Sequence, residues 1–418
     1  MKIKIENATI ITINDEAPYL GEIVIEDAII SYVGKNFKKQ IQFDRIINAN
    51  GNIVMPGFIN AHTHTAMSLL KNTSDDKNLQ DWLELDILPC EKNLTKEEAY
   101  WGSMLGISEY VKNGITTFCD AYYFPESTLK AVEKSGIRAS ICLGYHPNDI
   151  RSKEELENEY ITLKNKYPNV PFFMYAHSIY TVDEAQFNTL INLAKKYNLP
   201  LYTHMSETLV EVSDCTVKYD GLTPTQLLLE YGFFDTKSTV AHSVYVEKED
   251  IDILSQYNVN VVSNPASNLK LGSGIAPIVA LDKVGVNIAL GTDGASSNNA
   301  LDMFREMYLV STLQKAQMKD ASVINAKKTL DMATKNGAKA LFYDKIGVLK
   351  EGYYADLIML DVNMPNLTPL NDAESAVVYS AGVQNVVLTM VNGKILYENG
   401  KFYIGEDIET ILKNVKHK

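Results

Sequence analysis

The chain has 418 residues, 46% hydrophobic and 22% charged, an ordinary balance for a globular protein with a large core. Its 52 acidic against 39 basic residues leave a net charge of −13, which argues against nucleic-acid or membrane partners and for a small molecule. An α/β barrel takes about 250 residues, so the length accommodates one barrel and one smaller module.

Residues 1–10 alternate polar and apolar side chains like a strand and lack the apolar core of a signal peptide. No apolar run approaches a membrane span. Cys90, Cys119, Cys142 and Cys215 are scattered without CxxC spacing, which fits neither a zinc knuckle nor a secreted disulfide scaffold. A cytoplasmic location is the expectation.

Up to residue 55, short alternating segments at 2–5, 8–12, 22–25 and 29–33 are separated by turn-forming residues, the texture of an antiparallel sheet. The same texture returns at 355–361, 386–391 and 394–397, with a hairpin signal at Asn392-Gly393. Either end alone has too few strands to be stable, so residues 1–55 and 345–418 are expected to join in one small β-sandwich.

Residues 56–344 change to a repeat of apolar strand, loop and amphipathic helix. Candidate strands are 58–61, 116–119, 139–143, 172–176, 201–203, 239–241, 259–263 and 287–290, with helices between them such as 97–112 and 185–196. Thr95 and Glu98 form a capping-box signature at the start of the first of these helices. Eight repeats predict a (β/α)₈ barrel of the TIM type, whose chemistry sits at the C-terminal strand ends.

That placement gathers five of the seven histidines over one mouth. His62 and His64 end strand one, where residues i and i+2 face the same side. His177, His204 and His242 end strands four, five and six, and Asp293 follows strand eight. His146 and His417 are left without a role, as solvated surface residues. Three imidazoles and one carboxylate, His62, His64, His204 and Asp293, suit Zn²⁺, with Fe²⁺ or Mn²⁺ as substitutes. Such a cation with open coordination lowers the pKa of water to about 7, which makes hydrolysis of an aromatic C–N bond feasible. Glu207, three residues past His204, can share the mouth as a proton shuttle rather than a ligand; a glutamate simply favoured in a helix's first turn is the alternative.

The stretches 56–64 (PGFINAHTH), 202–207 (YTHMSE), 240–242 (VAH), 263–277 (SNPASNLKLGSGIAP) and 290–299 (LGTDGASSNN) resemble the amidohydrolase superfamily. Within it they are similar to the 5-methylthioadenosine/S-adenosylhomocysteine deaminase and chlorohydrolase group. The resemblance implies a metal-dependent barrel with a composite β-sandwich, acting on an adenosine-type nucleoside. It implies that His242 steadies the attacking water and that Asp293 both ligates the metal and helps pass a proton to departing ammonia. Dinuclear relatives carry a bridging lysine where this chain has His177, so one metal per subunit is expected, and His177 is implied to reach the purine ring. The stretch 78–91 (NLQDWLELDILPCE) matches the family's specificity loop, with Trp82 over the purine or its 5′ substituent and Glu91 on the ribose hydroxyls.

One departure bears on the substrate. Relatives that accept S-adenosylhomocysteine present an arginine at the end of strand three, where this chain aligns Leu143; Arg151 aligns with a second family arginine and is the remaining candidate for substrate binding. Uncharged 5′ groups are therefore expected: methylthioadenosine, 5′-deoxyadenosine or adenosine over S-adenosylhomocysteine. Two other readings stay open, a sibling hydrolase acting on guanine, cytosine or a chlorinated triazine, and a catalytically silent barrel serving as a scaffold. Homo-oligomerisation is compatible with the sequence, which is otherwise silent on it.

Overall fold

The computed structural model describes residues 1–416, and His417 lies outside them. The chain opens with strands β1 (Lys2–Ile10), β2 (Tyr19–Glu26), β3 (Ile29–Gly34), β4 (Arg45–Asn48) and β5 (Ile53–Pro56). The expected segments 2–5 and 8–12 are one strand interrupted by a bulge between Ile5 and Ala8. Asn7 absorbs it at φ 55°, a left-handed conformation that asparagine tolerates.

Eight barrel strands follow: β6 (Phe58–Thr63), β7 (Ile115–Asp120), β8 (Arg138–Tyr145), β9 (Phe172–Ala176), β10 (Leu201–Met205), β11 (Ser238–His242), β12 (Asn260–Ser263) and β13 (Asn287–Leu290). Neighbours in this order pair in parallel throughout. All eight lie where the apolar runs predict them, because strands buried on both faces need continuous hydrophobic sequence. The capping box forms as read: Thr95 Oγ1 accepts from Glu98 N–H at 3.2 Å, and Glu98 accepts from Thr95 N–H at 2.8 Å.

β14 (Leu357–Leu360), β15 (Val386–Val391), β16 (Lys394–Glu398) and β17 (Lys401–Phe402) return to the first sheet, where β14 pairs antiparallel with β5. Both chain ends thus share one nine-stranded sheet. It is mixed rather than purely antiparallel, since β1 runs parallel to β4 and β5. Ile3, Ile5, Ile23, Ile25, Leu357 and Leu388 belong to its own apolar core. Asn392 and Gly393 both take positive φ, 51° and 70°, as a tight hairpin turn requires.

β6 and β13 are the two ends of the barrel ladder, and polar bonds complete the ring between them. Asp293 N–H donates to the His62 carbonyl at 3.0 Å, Thr292 N–H to Asn60 Oδ1 at 2.9 Å, and Asn60 Nδ2 to Thr292 Oγ1 at 2.7 Å. Gly291 lies at this seam, and a Cβ there would come within 2.5 Å of Asn264 Oδ1 and 2.8 Å of His62 Cβ. At the opposite end the helix Lys335–Ala340 packs against the interior, with Gly337 tight against Ile59. The open mouth is therefore the C-terminal one.

Arg138 on β8 ties barrel to sheet. Its Nε donates to Asp356 Oδ2 at 2.7 Å and its Nη2 to Asp356 Oδ1 at 3.1 Å, while Asn392 accepts a further bond from Nη2. Asp356 is only 3% exposed, so removing the guanidinium strands a buried charge. Arg138→Met should cost about 3–5 kcal/mol of stability in denaturant unfolding. A loss within 1 kcal/mol, of order the scatter of surface substitutions, would mean the pair is not holding the junction.

Candidate active site

β6, β10, β11 and the turn after β13 deliver the expected side chains to one point. His204 Nε2 lies 3.1 Å from His62 Nε2, and Asp293 Oδ1 lies 3.4 Å from His62 Nε2 and 3.1 Å from His64 Nε2. A tetrahedral cation with bonds of about 2.1 Å separates its donors by roughly 3.4 Å, so these spacings are those of a metal cradle. The outer atoms of His64, His204 and Asp293 are engaged elsewhere, while His62 Nδ1 has no hydrogen-bond partner. His64 Nδ1 pairs with the Ala121 carbonyl and His204 Nδ1 with the His177 carbonyl at 2.8 Å, which directs both Nε2 lone pairs inward. Ser267 and Ser297 hydroxyls donate to Asp293 Oδ2 at 2.6 and 2.9 Å, leaving Oδ1 for the centre.

Electrostatics agree with that arrangement at His62, His204 and Asp293, and run against it at His64. Burial pushes His62 down to about 4 and His204 well below the imidazole range, which keeps both neutral as ligands must be. Burial opposes the Asp293 carboxylate, yet His62 and His64 hold it well below its usual range. Burial likewise opposes charge on His64, but Asp293 raises it overall.

His242 is a fifth donor nearby. Ligand atoms of His62, His204, His242 and Asp293 lie within 4.8 Å of one another, a quartet that takes His242 in place of His64. Its Nδ1 bonds Asn268 Oδ1 at 2.8 Å and its Nε2 faces Glu207 Oε2 at 3.6 Å. His242 and Asp293 both have positive φ, 73° and 58°, and such backbone strain of about 1–3 kcal/mol clusters at functional sites. Glu207 is 5% exposed; burial, then Asp293 and Glu211, push its carboxyl well above the usual range.

Above the donors lies a pocket that includes Trp82, Glu91, Tyr122, His177, Glu207 and His242 in its wall. Trp82, on a π-helical turn Trp82–Ile87, is 5% exposed. Burial pushes Glu91 up to about 7, with Tyr122 and then His64 pulling the other way. His177 Nδ1 pairs with Thr181 Oγ1 at 2.9 Å.

Two placements differ from expectation. Arg151 does not line this pocket; it faces an adjoining cleft with Leu143. There its Nε pairs with Asp149 at 2.9 Å, its Nη1 with Glu159, and its Nη2 donates to the Gly144 carbonyl. His146, expected on the solvated surface, is buried and stacks on Tyr123 with ring centroids 4.4 Å apart. Its loop folds inward over the mouth, and burial, then Arg151, drive its pKa down to about 3. Tyr122, Tyr123, Ser267, Ser297 and Glu211 also serve the site without having been singled out from sequence. The serines sit inside motifs already quoted, and position beside a ligand was the available signal.

A parallel barrel with a histidine and aspartate cradle at its C-terminal mouth defines a metal-dependent hydrolase scaffold, and the Amidohydrolase family profile matches residues 53–396. The chain belongs to that family. It is 41% identical, over 100% of its own length and 98% of the relative's, to the 5-methylthioadenosine/S-adenosylhomocysteine deaminase of Acetivibrio thermocellus. It is 42% identical to the Pyrococcus furiosus protein of that name, covering 95% of this chain and 96% of that one. Among solved structures it is similar to a zinc-bound adenosine deaminase from Xanthomonas campestris, with TM-score 0.94, 30% identity and coverage of 99% and 97%. Among the described residues, no helix is long and apolar enough to cross a membrane.

The two candidate donor sets, one with His64 and one with His242, make opposite forecasts for metal analysis of purified protein. With His64 in the cradle, His64→Asn drops bound metal well below one per chain, whereas His242→Asn keeps it and loses rate. The reverse pattern would assign His242 to the metal instead.

Proposed function

We propose that this chain is a metal-dependent hydrolytic deaminase, which converts the 6-amino group of an adenosine-type nucleoside to the inosine-type carbonyl and releases ammonia. The observation that carries the reading is a set of three buried, unpaired polar atoms in side chains lining one pocket: Trp82 Nε1, Glu91 Oε1 and Glu207 Oε1. Each is costly by about 1–3 kcal/mol until a ligand pairs with it. A nucleoside brings a ribose diol for Glu91 and a ring nitrogen for Glu207; guanine, cytosine or a triazine brings no diol. Full-length similarity to relatives named for this chemistry supports the same substrate class.

His62, His64, His204 and Asp293 would hold one divalent cation per subunit, Zn²⁺ first, with Fe²⁺ and Mn²⁺ also compatible with these donors. Bound there, it would lower the pKa of water to about 7 and supply a nucleophile at neutral pH. Glu207 takes the proton of the attacking water and hands it to ring N1, which makes the adjacent C6 electrophilic. Its raised pKa suits a group that must hold a proton mid-reaction. With His242 Nδ1–H donated to Asn268 Oδ1, Nε2 keeps a lone pair that steadies the attacking water. Asp293 helps move the second proton to the departing amine. Trp82 covers the purine, and His177, its Nδ1 engaged by Thr181, turns Nε2 to the ring.

The 5′ group should be uncharged. Leu143 offers no fork for a carboxylate, and Arg151 is already neutralised by Asp149 and Glu159. Methylthioadenosine, 5′-deoxyadenosine and adenosine are the expected substrates, ahead of S-adenosylhomocysteine.

An aminopurine panel followed by ultraviolet change tests the reading on metal-replete protein. Glu207→Gln should keep its metal and lose about 10²–10⁴-fold in kcat; full activity there removes the shuttle. Glu91→Ala should weaken nucleosides far more than any free base, and equal losses would mean no ribose contact. Because Glu91 ionises near 7 rather than 4.5, its accepting carboxylate forms as pH rises, so nucleoside KM should fall through about pH 7. A kcat/KM for S-adenosylhomocysteine at or above that for methylthioadenosine would overturn the 5′ preference.

A further inference from the structure

Glu211 is 4% exposed, outside the pocket wall, and bonded only to main chain. It sits in the first turn of the helix Leu209–Lys218, whose capping residue Thr208 accepts from Glu211 N–H at 3.1 Å. A glutamate at this helix position usually closes on the capping residue's own N–H. Here the carboxylate reaches further back: Oε1 accepts from Ser206 N–H at 3.0 Å and Oε2 from Glu207 N–H at 2.7 Å. Ser206 has φ 51°, so two consecutive N–H groups converge on one carboxyl, a backbone nest filled by the protein's own side chain. Burial pushes that carboxyl up to about 7, against the pull of those N–H groups.

The same turn is held from the other side. The Ser206 carbonyl accepts from Val244 and Tyr245 N–H at 2.9 and 3.0 Å, and Met205 accepts from Ser243 N–H at 2.9 Å. Those donors follow His242 directly. The strand end that carries Glu207 is thereby fixed both to its own helix and to the turn that carries His242, which sets the 3.6 Å spacing between Glu207 Oε2 and His242 Nε2.

We infer that Glu211 is a positioning residue for Glu207: by binding the Ser206 and Glu207 N–H groups it holds the shuttle carboxyl in reach of the ring nitrogen and His242, without touching substrate or metal. This rests on the deaminase reading. Replacing the carboxylate by an amide leaves one oxygen to accept and turns an NH₂ group toward a backbone N–H, which must swing the turn. A misplaced shuttle costs turnover, while the rest of the pocket wall and the metal donors stay as they were.

The test is a double-mutant cycle on the full-length, metal-loaded enzyme, with kcat, KM, metal content and thermal unfolding measured together. Glu211→Gln should lower kcat about 10–100-fold, with KM changed less than threefold and metal still one per chain. Combined with Glu207→Gln it should add no further loss, since it acts only through that residue. Losses that multiply, a KM or metal content that falls in step with kcat, or unchanged turnover in Glu211→Gln would each overturn the assignment. Should Glu211→Gln not fold, Glu211→Asp, charged but one methylene short, is read by the same criteria. A wild-type enzyme that turns over no aminopurine overturns the deaminase reading itself, and the positioning role with it; an active wild type with an indifferent Glu211→Gln overturns the positioning role alone.

Discussion

Closure of the barrel between its first and last strands is the constraint on which the site depends. His62 ends one and Asp293 follows the other, and the bond from Asp293 N–H to the His62 carbonyl makes neighbours of two donors from opposite ends of the barrel sequence. Asn60 and Thr292, 232 positions apart, add two side-chain bonds to the same seam. Thr63 Oγ1 donates to the Asp293 carbonyl at 3.0 Å. Only a residue without a side chain fits at Gly291, where two strands and the His62 main chain crowd together. Were the seam to open by one register, the aspartate would leave the histidines and the cradle would lose its one anionic oxygen.

Around that seam the donors are aimed by a second contact, except that the outer nitrogen of His62 has no hydrogen-bond partner. Backbone carbonyls fix the rings of His64 and His204, two serines occupy the outer oxygen of Asp293, and Asn268 holds the outer nitrogen of His242. The low-dielectric surroundings strengthen these bonds and favour the neutral form of His62, His204 and His242, whereas Asp293 raises His64. The positive φ of His242 and Asp293 is the local cost of turning two strand ends toward one point. Strands below and a turn-rich rim above divide the structure: the strand ends carry the donors, and the segment with Trp82 and Glu91 lines the pocket above them.

That rim is where charge excludes as much as it attracts. An arginine already paired with two carboxylates has no free fork for a third, and Leu143 beside it is apolar. His146 and Tyr123 stack where this cleft meets the main pocket, so the wall between them is aromatic and uncharged at neutral pH. Under the proposed reading, an anionic tail entering this wall would lose its hydration with no free cation beside it to offset the cost.

By itself the sequence determined the eight barrel strands, the Asn392-Gly393 hairpin, the Thr95–Glu98 cap and the convergence of histidines at strand ends. These are legible because each depends on neighbours within a few residues: an apolar run, a turn dipeptide, an i, i+2 spacing. What needed the tertiary structure is of another kind. The bulge at Asn7 merged two apparent strands; Arg151 turned away to Asp149 and Glu159; His146 went inside; His242 came within 4.8 Å of His62, His204 and Asp293. Which nitrogen of an imidazole faces the centre, and which backbone N–H groups Glu211 takes, follow from partners brought together by the closed ring, and no local pattern in the chain encodes them.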